Sequence, residues 1–322
     1  MTMRQTFVRA IDGLWREPLM ILKYYLNHAA KHTSPKNVFM VDGKVGHGGM
    51  FDRLKGAISV YAISKVHQKD FRIFFIYPFE LQKYLEPNKY NWRICKDDMV
   101  YSYPHSRPLF LYVECYNPIR LFKNRKCESH FYYGYDSLEK INEKFGTTFE
   151  WGNLYRELFK PTPYLQQYID TYKKEVGENY IVMHTRFLNL LGDKVETNIN
   201  PELPLSERHV LMKKMRDKIV ELDLNYQKEH RKIRIMLASD SMVFIEYMKK
   251  ELQDIYVVPG QVKHIDTAGV TNDSENIKMF LDYYLISKAK KVYSLVSDGM
   301  WPSAFPEYAA KIGGTKFERI TL

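Results

Sequence analysis

Short apolar runs alternate with longer segments of helical periodicity along the second half of this chain. The apolar runs lie at 180–185, 233–239, 255–258 and 291–296, and the helical segments that follow them lie at 205–225, 241–251, 274–288 and 302–311. Strands that alternate with helices at this spacing predict an α/β fold in which the strands form a doubly wound parallel sheet.

The first half begins with a rough helical period over 6–31, followed by one βαβ unit. Its parts are a strand at 37–41, a glycine-rich turn at 43–49, a helix at 51–66 and a second strand at 71–77. From about 90 to 135 the pattern loosens into short aromatic runs, and 136–175 looks helical with a break at 161–163.

The linker near 160–178 is the natural boundary between two domains. We expect an N-terminal α/β domain at 1–175 and a C-terminal domain at 176–322. Both are expected to be Rossmann-like, with parallel sheets that face each other across a cleft.

Two strands of the second half end in side chains that suit a phosphate or a ribose. The run 180–185 ends in His184 and Arg186, and the run 233–239 is followed by Asp240 and Ser241. The carboxyl ends of parallel strands open onto the ligand crevice of such folds, and an arginine fork matches a diphosphate. A nucleotide-type ligand is the prediction. The alternatives are that Arg186 pairs with a buried carboxylate and that Asp240 or Ser241 caps the next helix.

Two further segments place backbone N–H groups at the start of a helix. They are the glycine loop with Gly46, Gly48 and Gly49, and the segment from Ser297 to Ser303. A helix N-terminus attracts an anion, and glycine permits close approach of the backbone. The glycine loop fits neither a Walker A motif nor the dinucleotide fingerprint, so a tight turn with positive φ angles remains its alternative.

Charge and composition indicate anionic partners. The chain of 322 residues carries a net charge of +10, and its basic clusters are spread along the sequence. Three cysteines without metal-ligand spacing suit a reducing compartment. The sequence shows neither a signal peptide nor a membrane span, so we expect a cytoplasmic protein, with peripheral contact at the inner face of an anionic membrane left open. No Asp-x-Asp occurs, so we expect no metal and no other cofactor.

The order of these motifs resembles that of the fucosyltransferase superfamily with the GT-B fold, which includes bacterial α1,2-, α1,6- and protein-O-fucosyltransferases. The matching segments are the glycine loop with 51–57, His184-Thr185-Arg186 with Asp193, 237–241, and Asp282 to Ser297. The sequence departs from the family's pattern at Asp52, where Asn is usual, and at Phe187, where the family has a second Arg.

The resemblance implies an inverting glycosyltransferase that uses GDP-fucose and transfers the sugar to a glycan or a lipid-linked glycan. Arg186 would stabilise the leaving β-phosphate, and Asp52, Asp193 and Glu196 are the candidate bases. The expected donor-binding residues are His184, Arg186, Asp240, Ser241, Asp282, Ser297, Ser303, Gly46, Gly48 and Gly49.

Two other functions remain open at this point. One is a transferase of the same fold that uses a GDP-heptose or GDP-mannose derivative. The other is a basic nucleic-acid-binding protein, which would need one concentrated basic face. The dispersed clusters and the polar residues at the strand ends argue against nucleic acid as a partner.

Overall fold

The computed structural model describes residues 15–26, 34–111, 118–193, 201–230, 233–260 and 271–322. The chain divides between Lys160 and Pro161 into two compact units. Each unit is built on a parallel sheet, so the predicted α/β class is confirmed.

The first unit contains a four-stranded sheet in the order β2-β1-β5-β4. Its strands are β1 (Lys36–Val41), β2 (Asp70–Phe75), β4 (Ser106–Phe110) and β5 (Glu128–Tyr132). All neighbouring strands in this sheet are parallel. A short strand β3 (Leu85–Pro87) pairs with β6 (Phe159–Pro161) in a separate two-stranded sheet.

Helix α1 (Met50–Val66) connects β1 to β2 and is buried along most of its length. Its Gly56 lies against Gly134, which follows β5, and a Cβ added at Gly134 would stand 2.6 Å from the Cα of Gly56. Because no side chain fits at this contact, the two glycines let the helix approach the end of β5 closely. Helices α2 (Leu138–Phe145) and α3 (Trp151–Leu158) complete the unit.

One face of the first sheet combines apolar packing with a row of polar side chains. Glu128, His130 and Tyr132 alternate along β5 and are all buried. Nε2 of His130 lies 2.7 Å from Oε1 of Glu128, and Nδ1 lies 2.6 Å from the hydroxyl of Tyr25. The Tyr132 hydroxyl donates to Asp42 at 3.3 Å. Each polar group therefore has the partner that burial requires.

Tyr25 follows the helical residues 15–24, which lie over this face of the sheet. Met20 and Tyr25 pack with Val38 and Met40 of β1 in one apolar cluster. The helix expected over 6–31 is therefore present at 15–24 and ends there, because residues 25 and 26 are not helical; the rest of that prediction falls outside the described residues.

The second unit contains a five-stranded parallel sheet in the order β11-β10-β7-β8-β9. Its strands are β7 (Tyr180–Thr185), β8 (Arg234–Ser239), β9 (Ile255–Tyr256), β10 (Lys291–Val296) and β11 (Lys316–Thr321). Its helices are α4 (Pro163–Val176), α5 (Leu205–Glu229), α6 (Met242–Glu251), α7 (Asp273–Ser287) and α8 (Phe305–Gly313). The central strand β7 is buried at every position.

Most predicted elements are present, with five strands added. The strands β4, β5 and β11 and the short pair β3 and β6 were not predicted, and the last helix begins at Phe305 rather than near 302. The units divide fifteen residues before the expected boundary at 175, because α4 packs against α7 of the second unit. No helix among the described residues is long and apolar enough to cross a membrane.

Candidate functional site

The second sheet changes direction between β7 and β10. The chain runs from β7 outward through β8 to β9, and then returns to place β10 on the other side of β7. Ligands of open α/β sheets bind at such a switch point, outside the carboxyl ends of the strands. The candidate site is therefore the crevice between the ends of β7 and β10.

Three neighbouring strands place polar side chains on one face of the sheet beside this crevice. His184 of β7 pairs with Ser294 of β10, which pairs with Arg319 of β11. These three residues share one face of the sheet because paired positions point to the same side. Arg186 comes two residues after His184, so it continues this face beyond the strand end.

His184 is buried in a neutral state. Its ring stacks on Phe305, with centroids 6.3 Å apart and an interplanar angle of 24°. Burial, followed by the guanidinium groups of Arg186 and Arg319, lowers the pKa of His184 to about 3. The Nδ1 atom has no hydrogen-bond partner in the part of the chain that the structure describes. His184 therefore offers a neutral ring nitrogen and adds no positive charge at neutral pH.

The turn after β7 is held by Asp240. Its two carboxylate oxygens accept hydrogen bonds from the backbone N–H of Phe187, at 2.8 Å, and of Leu188, at 3.0 Å. Leu188 has a φ of +56°, a left-handed conformation that costs a leucine about 1–2 kcal/mol. Asp240 thus stabilises a strained turn next to Arg186. Whether it also contacts a nucleotide remains a prediction.

Asp193 and Ser241 cap helix α6. The Ser241 hydroxyl accepts a hydrogen bond from the N–H of Phe244 and donates one to Oδ2 of Asp193 at 2.8 Å. The same Oδ2 accepts from the N–H of Val243 at 2.8 Å. The capping alternative therefore holds for Ser241, and Asp193 supplies a second acceptor for the helix N-terminus. Because the oxygen of Asp193 is already used, its predicted role as a base is weakened.

The loop after β10 approaches the end of β7. The N–H of Trp301 donates to the carbonyl of Arg186 at 3.2 Å, which ties the two strand ends together. Ser297 is buried, and its hydroxyl accepts from Lys214 Nζ at 3.1 Å. Ser303 is also buried; its hydroxyl accepts from the N–H of Phe305, and its carbonyl accepts from Arg319 at 3.0 Å.

Asp282 lies on α7 and forms a buried ion pair with Lys278. Both carboxylate oxygens accept from Lys278 Nζ, at 2.6 and 2.5 Å. Burial raises the pKa of Asp282, and the charge of Lys278 opposes that shift. If Asp282 accepted a hydrogen bond from guanine or ribose, the same oxygens would also have to accept the hydrogen bonds from Lys278.

The glycine loop of the first unit follows β1, at the carboxyl end of the other parallel sheet. A Cβ at Gly48 would stand 2.5 Å from Oδ2 of Asp52, whereas Cβ atoms at Gly46 and Gly49 would meet nothing within 4 Å. The φ angle is positive at Gly43, but not at Gly46, Gly48 or Gly49. The alternative of a tight turn with positive φ angles in this loop is therefore met at Gly43 but not at the three later glycines, and of those three only Gly48 lies against another side chain.

Asp52 and Asp193 are the two candidate bases that the structure describes, and Asp193 is the more exposed of them. Asp52 lies in the first turn of α1, its side chain is 35% exposed, and Oδ1 accepts from Lys55 at 2.9 Å. Glu196 lies outside the described residues. Asp52 belongs to the first unit, and the crevice between β7 and β10 belongs to the second.

Lys214, Arg319 and His47 were not singled out from the sequence. Lys214 belongs to a basic cluster that reads as a solvated helix face, and Arg319 lies on a strand that was not predicted. His47 is buried in the glycine loop and stacks on Tyr133, with centroids 5.9 Å apart. Arg319 is placed near the strand ends by the strand register, Lys214 by its hydrogen bond to Ser297, and His47 by its contact with Tyr133.

Solved structures of fucosyltransferases share this fold. NodZ α1,6-fucosyltransferase co-crystallised with GDP matches 86% of this chain and 92% of its own, with a TM-score of 0.55 and 15% identity. Fucosyltransferase NodZ from Bradyrhizobium matches 86% of this chain and 93% of its own, with a TM-score of 0.54 and 15% identity. A mutant of Arabidopsis thaliana FUT1 in complex with GDP matches 95% of this chain and 73% of its own, with a TM-score of 0.54 and 13% identity.

At these identities the similarity establishes the fold, and the resemblance drawn from the sequence is confirmed at that level. No model of a protein family matches the chain, and no curated protein sequence matches it. No group of three or more His, Cys, Asp or Glu side chains that could hold a metal ion occurs among the described residues.

Proposed function

We propose that this protein is an inverting glycosyltransferase that transfers fucose from GDP-fucose to a glycan or a lipid-linked glycan. The observation that carries the proposal is the position of Arg186 and His184 at the switch point of the second sheet. The fold that the chain shares with GDP-bound fucosyltransferases supports a nucleotide-sugar donor. The choice of fucose rests on the sequence motifs.

In the proposed reaction an acceptor hydroxyl attacks the anomeric carbon of the sugar. The bond from that carbon to the β-phosphate oxygen breaks, and its electrons leave with GDP. Arg186 would stabilise the charge that develops on this phosphate, because a preorganised cation contributes most where charge appears in the transition state. The turn held by Asp240 would keep the guanidinium in place before the donor binds.

The remaining donor contacts are proposed from the same strand ends. Ser297 and Ser303 supply hydroxyl groups, and His184 supplies a neutral ring nitrogen. The backbone N–H groups of Gly46, Gly48 and Gly49 are also proposed as donor contacts. Ser241 would act indirectly, through the start of α6, because its hydroxyl is used in capping.

The acceptor proton would pass to a carboxylate, and Asp52 is our first choice. Its side chain is partly exposed, and Lys55 keeps a positive charge beside it. A general base must be within reach of the proton that it takes. Asp193 is exposed, but its Oδ2 already accepts hydrogen bonds from the Ser241 hydroxyl and the N–H of Val243, whereas Oδ1 of Asp52 accepts one from Lys55.

A divalent metal is not part of this proposal. The sequence lacks the paired carboxylates that hold a metal on a diphosphate, and Arg186 supplies fixed positive charge instead. GDP should therefore bind equally well in EDTA and in Mn²⁺.

The proposal is tested by isothermal titration of the protein with GDP, UDP, ADP and a panel of GDP-sugars, followed by assays of sugar transfer. We expect GDP and GDP-fucose to bind in EDTA, with UDP and ADP at least ten-fold weaker. Preferential binding of a GDP-heptose or GDP-mannose derivative would identify that nucleotide sugar as the donor in place of GDP-fucose. Equal binding of all three nucleotides would reject guanine recognition. Salt-sensitive RNA binding without GDP binding would favour the nucleic-acid alternative.

A further inference from the structure

The helical residues 15–24 have one buried side and one exposed apolar side. Met20 and Tyr25 face the core and are 6% and 0% exposed. On the outer side stand four large apolar side chains; the first three are spaced four and three residues apart, which matches one face of a helix, and the fourth follows the end of the helix. They are Trp15 (64% exposed), Leu19 (58%), Leu22 (65%) and Leu26 (49%). A contiguous exposed apolar patch of this kind often marks a site that binds a protein or a membrane.

The neighbouring loop extends this apolar surface. Leu26 forms an antiparallel bridge with Ser102, and the N–H of Tyr103 donates to the carbonyl of Tyr25 at 2.8 Å. The Tyr103 side chain is 48% exposed beside this contact. The outer side of the helix and the turn before β4 therefore form one surface.

Basic residues concentrate around it. Segment 123–127 leads directly into β5, where the N–H of Glu128 donates to the carbonyl of His105 at 3.0 Å, so it ends beside the turn before β4. Arg107 of β4 forms an ion pair with Glu17 of the helix. Segments 15–26, 100–111 and 123–127 contain six Lys or Arg and one Glu, so they carry +5 of the net charge of +10.

We infer that these three segments form a face that binds the surface of an anionic lipid bilayer. Exposed Trp and Leu can enter the headgroup region, while Lys and Arg contact anionic headgroups. A second copy of the chain suits the face less well, since two surfaces of the same strong charge repel each other. The inference does not depend on the proposed transferase activity.

The test is sedimentation of the 322-residue protein with lipid vesicles. Vesicles of phosphatidylcholine alone are compared with vesicles in which about a third of the lipid is phosphatidylglycerol, at about 0.1 and about 0.5 M salt. We expect binding to the anionic vesicles, weaker binding at high salt, and little binding to phosphatidylcholine alone.

Two double variants assign the binding to the face. Leu19→Ser with Leu22→Ser removes the apolar contact, and Lys123→Glu with Lys126→Glu reverses two exposed charges. Each pair should weaken vesicle binding by about ten-fold or more. The matched controls are Leu205→Ser with Leu224→Ser and Lys250→Glu with Lys290→Glu, exposed positions of the second unit, which should change binding less than two-fold, roughly the scatter of neutral surface changes.

Several outcomes would overturn the inference. They are equal binding to both vesicle types, a loss of binding as large in the controls as in the face variants, and no effect of either face pair. Concentration-dependent dimers that disappear in Leu19→Ser with Leu22→Ser, without vesicle binding, would identify the face as a contact between copies. Circular dichroism of each variant shows whether it is folded, and the lysine pair, which lies on the surface, gives a result even if the leucine pair does not fold.

Discussion

Arg186 is the residue on which the proposed chemistry depends most, because its charge lies at the switch point and its neighbours Phe187 and Leu188 are held by Asp240. Arg186→Ala should weaken GDP binding about ten- to a hundred-fold, the effect of losing a charge-assisted contact. Arg186→Lys should restore little, because an ammonium cannot reproduce the planar fork. Isothermal titration in EDTA measures both.

The matched control is Arg234→Ala, at the amino end of β8 and thus at the opposite end of the same sheet. It should leave GDP affinity unchanged. A folded Arg186→Ala protein that binds GDP as tightly as the parent would remove Arg186 from the donor site.

The proposed roles of Asp52 and Asp193 can be distinguished by replacing each carboxylate with an amide. Asp52→Asn should lower kcat by about a hundred-fold or more with donor affinity kept, if Asp52 takes the acceptor proton. Asp193→Asn keeps one capping oxygen and should retain turnover, whereas Asp193→Ala should lose about 1–2 kcal/mol of stability. Steady-state kinetics and thermal denaturation distinguish these effects.

A large loss of turnover in Asp193→Asn at unchanged melting temperature would reverse this assignment. Should both Asn variants turn over normally, Glu196→Gln becomes the remaining test. If that variant is active too, no carboxylate among the three predicted candidates is the base.

At the scale of elements, substitutions in the glycine loop can separate a packing role of a glycine from a role in ligand binding. Gly46 has free space around its Cβ position, so Gly46→Ala should change stability by less than about 1 kcal/mol. If its backbone approaches the donor, the added methyl group should reduce donor affinity several-fold. Gly48→Ala should lower the melting temperature, because its Cβ would collide with Asp52. Unchanged donor affinity in Gly46→Ala would exclude Gly46 from the donor site.

The turn after β7 gives a second test at this scale. Asp240→Ala leaves two backbone N–H groups without their acceptor and should cost about 2–4 kcal/mol of stability. Since Leu188 then loses the contact that stabilises its left-handed conformation, GDP affinity should fall as well. Asp240→Asn retains one oxygen and should be intermediate in both measurements. Normal GDP affinity in a destabilised Asp240→Ala protein would show that the turn does not position Arg186.

The elements that could be predicted from the sequence are those in which local pattern and burial agree. Strands β1 and β7 are continuous apolar runs buried on both faces, which is typical of central parallel strands. Strand β5 escaped prediction because Glu128 and His130 look like solvent-facing residues, although their partners come from distant parts of the chain. Strand β4 was not predicted because it contains Pro108. The edge strand β11 was not predicted because its exposed charged residues interrupt any apolar run.

The candidate site divides in the same way. His184, Arg186 and Asp240 could be found because each follows an apolar run directly. Arg319 is identified as part of the site only by the register of β10 with β11, and Lys214 only by the packing of α5. These are tertiary contacts, so no local sequence pattern predicts them. The capping role of Asp193 also depends on a partner about fifty residues away in the chain.

At the scale of the whole molecule, each unit contains a buried neutral histidine. Burial is the main cause that lowers the pKa of both His47 and His184 to about 3. An unfolded histidine titrates near 6.5, so below that pH the unfolded chain binds more protons than the folded protein. Stability should therefore fall as the pH drops from about 6.5 toward 3, by about 1–2 kcal/mol per histidine between pH 7 and pH 5.

Calorimetric melting at pH 7, 6 and 5 measures this dependence. His47→Gln and His184→Gln should each show a smaller drop in melting temperature with pH than the parent, whatever their stability at pH 7. His230, exposed at the end of α5, provides the control: His230→Gln should keep the parent's slope. A parent-like slope in both buried variants would contradict the prediction.

The helix at 15–24 also bears on how this protein should be engineered. Its exposed leucines make it an obvious segment to delete when better solubility is wanted. A deletion that extends through Tyr25 would also remove the hydroxyl that contacts the buried ring of His130, and would uncover Val38 and Met40. Such a shortened protein would exchange one apolar surface for another and leave a buried histidine nitrogen without its partner. Polar substitution at Leu19 and Leu22 leaves that inner side intact and is the sounder route to a well-behaved protein.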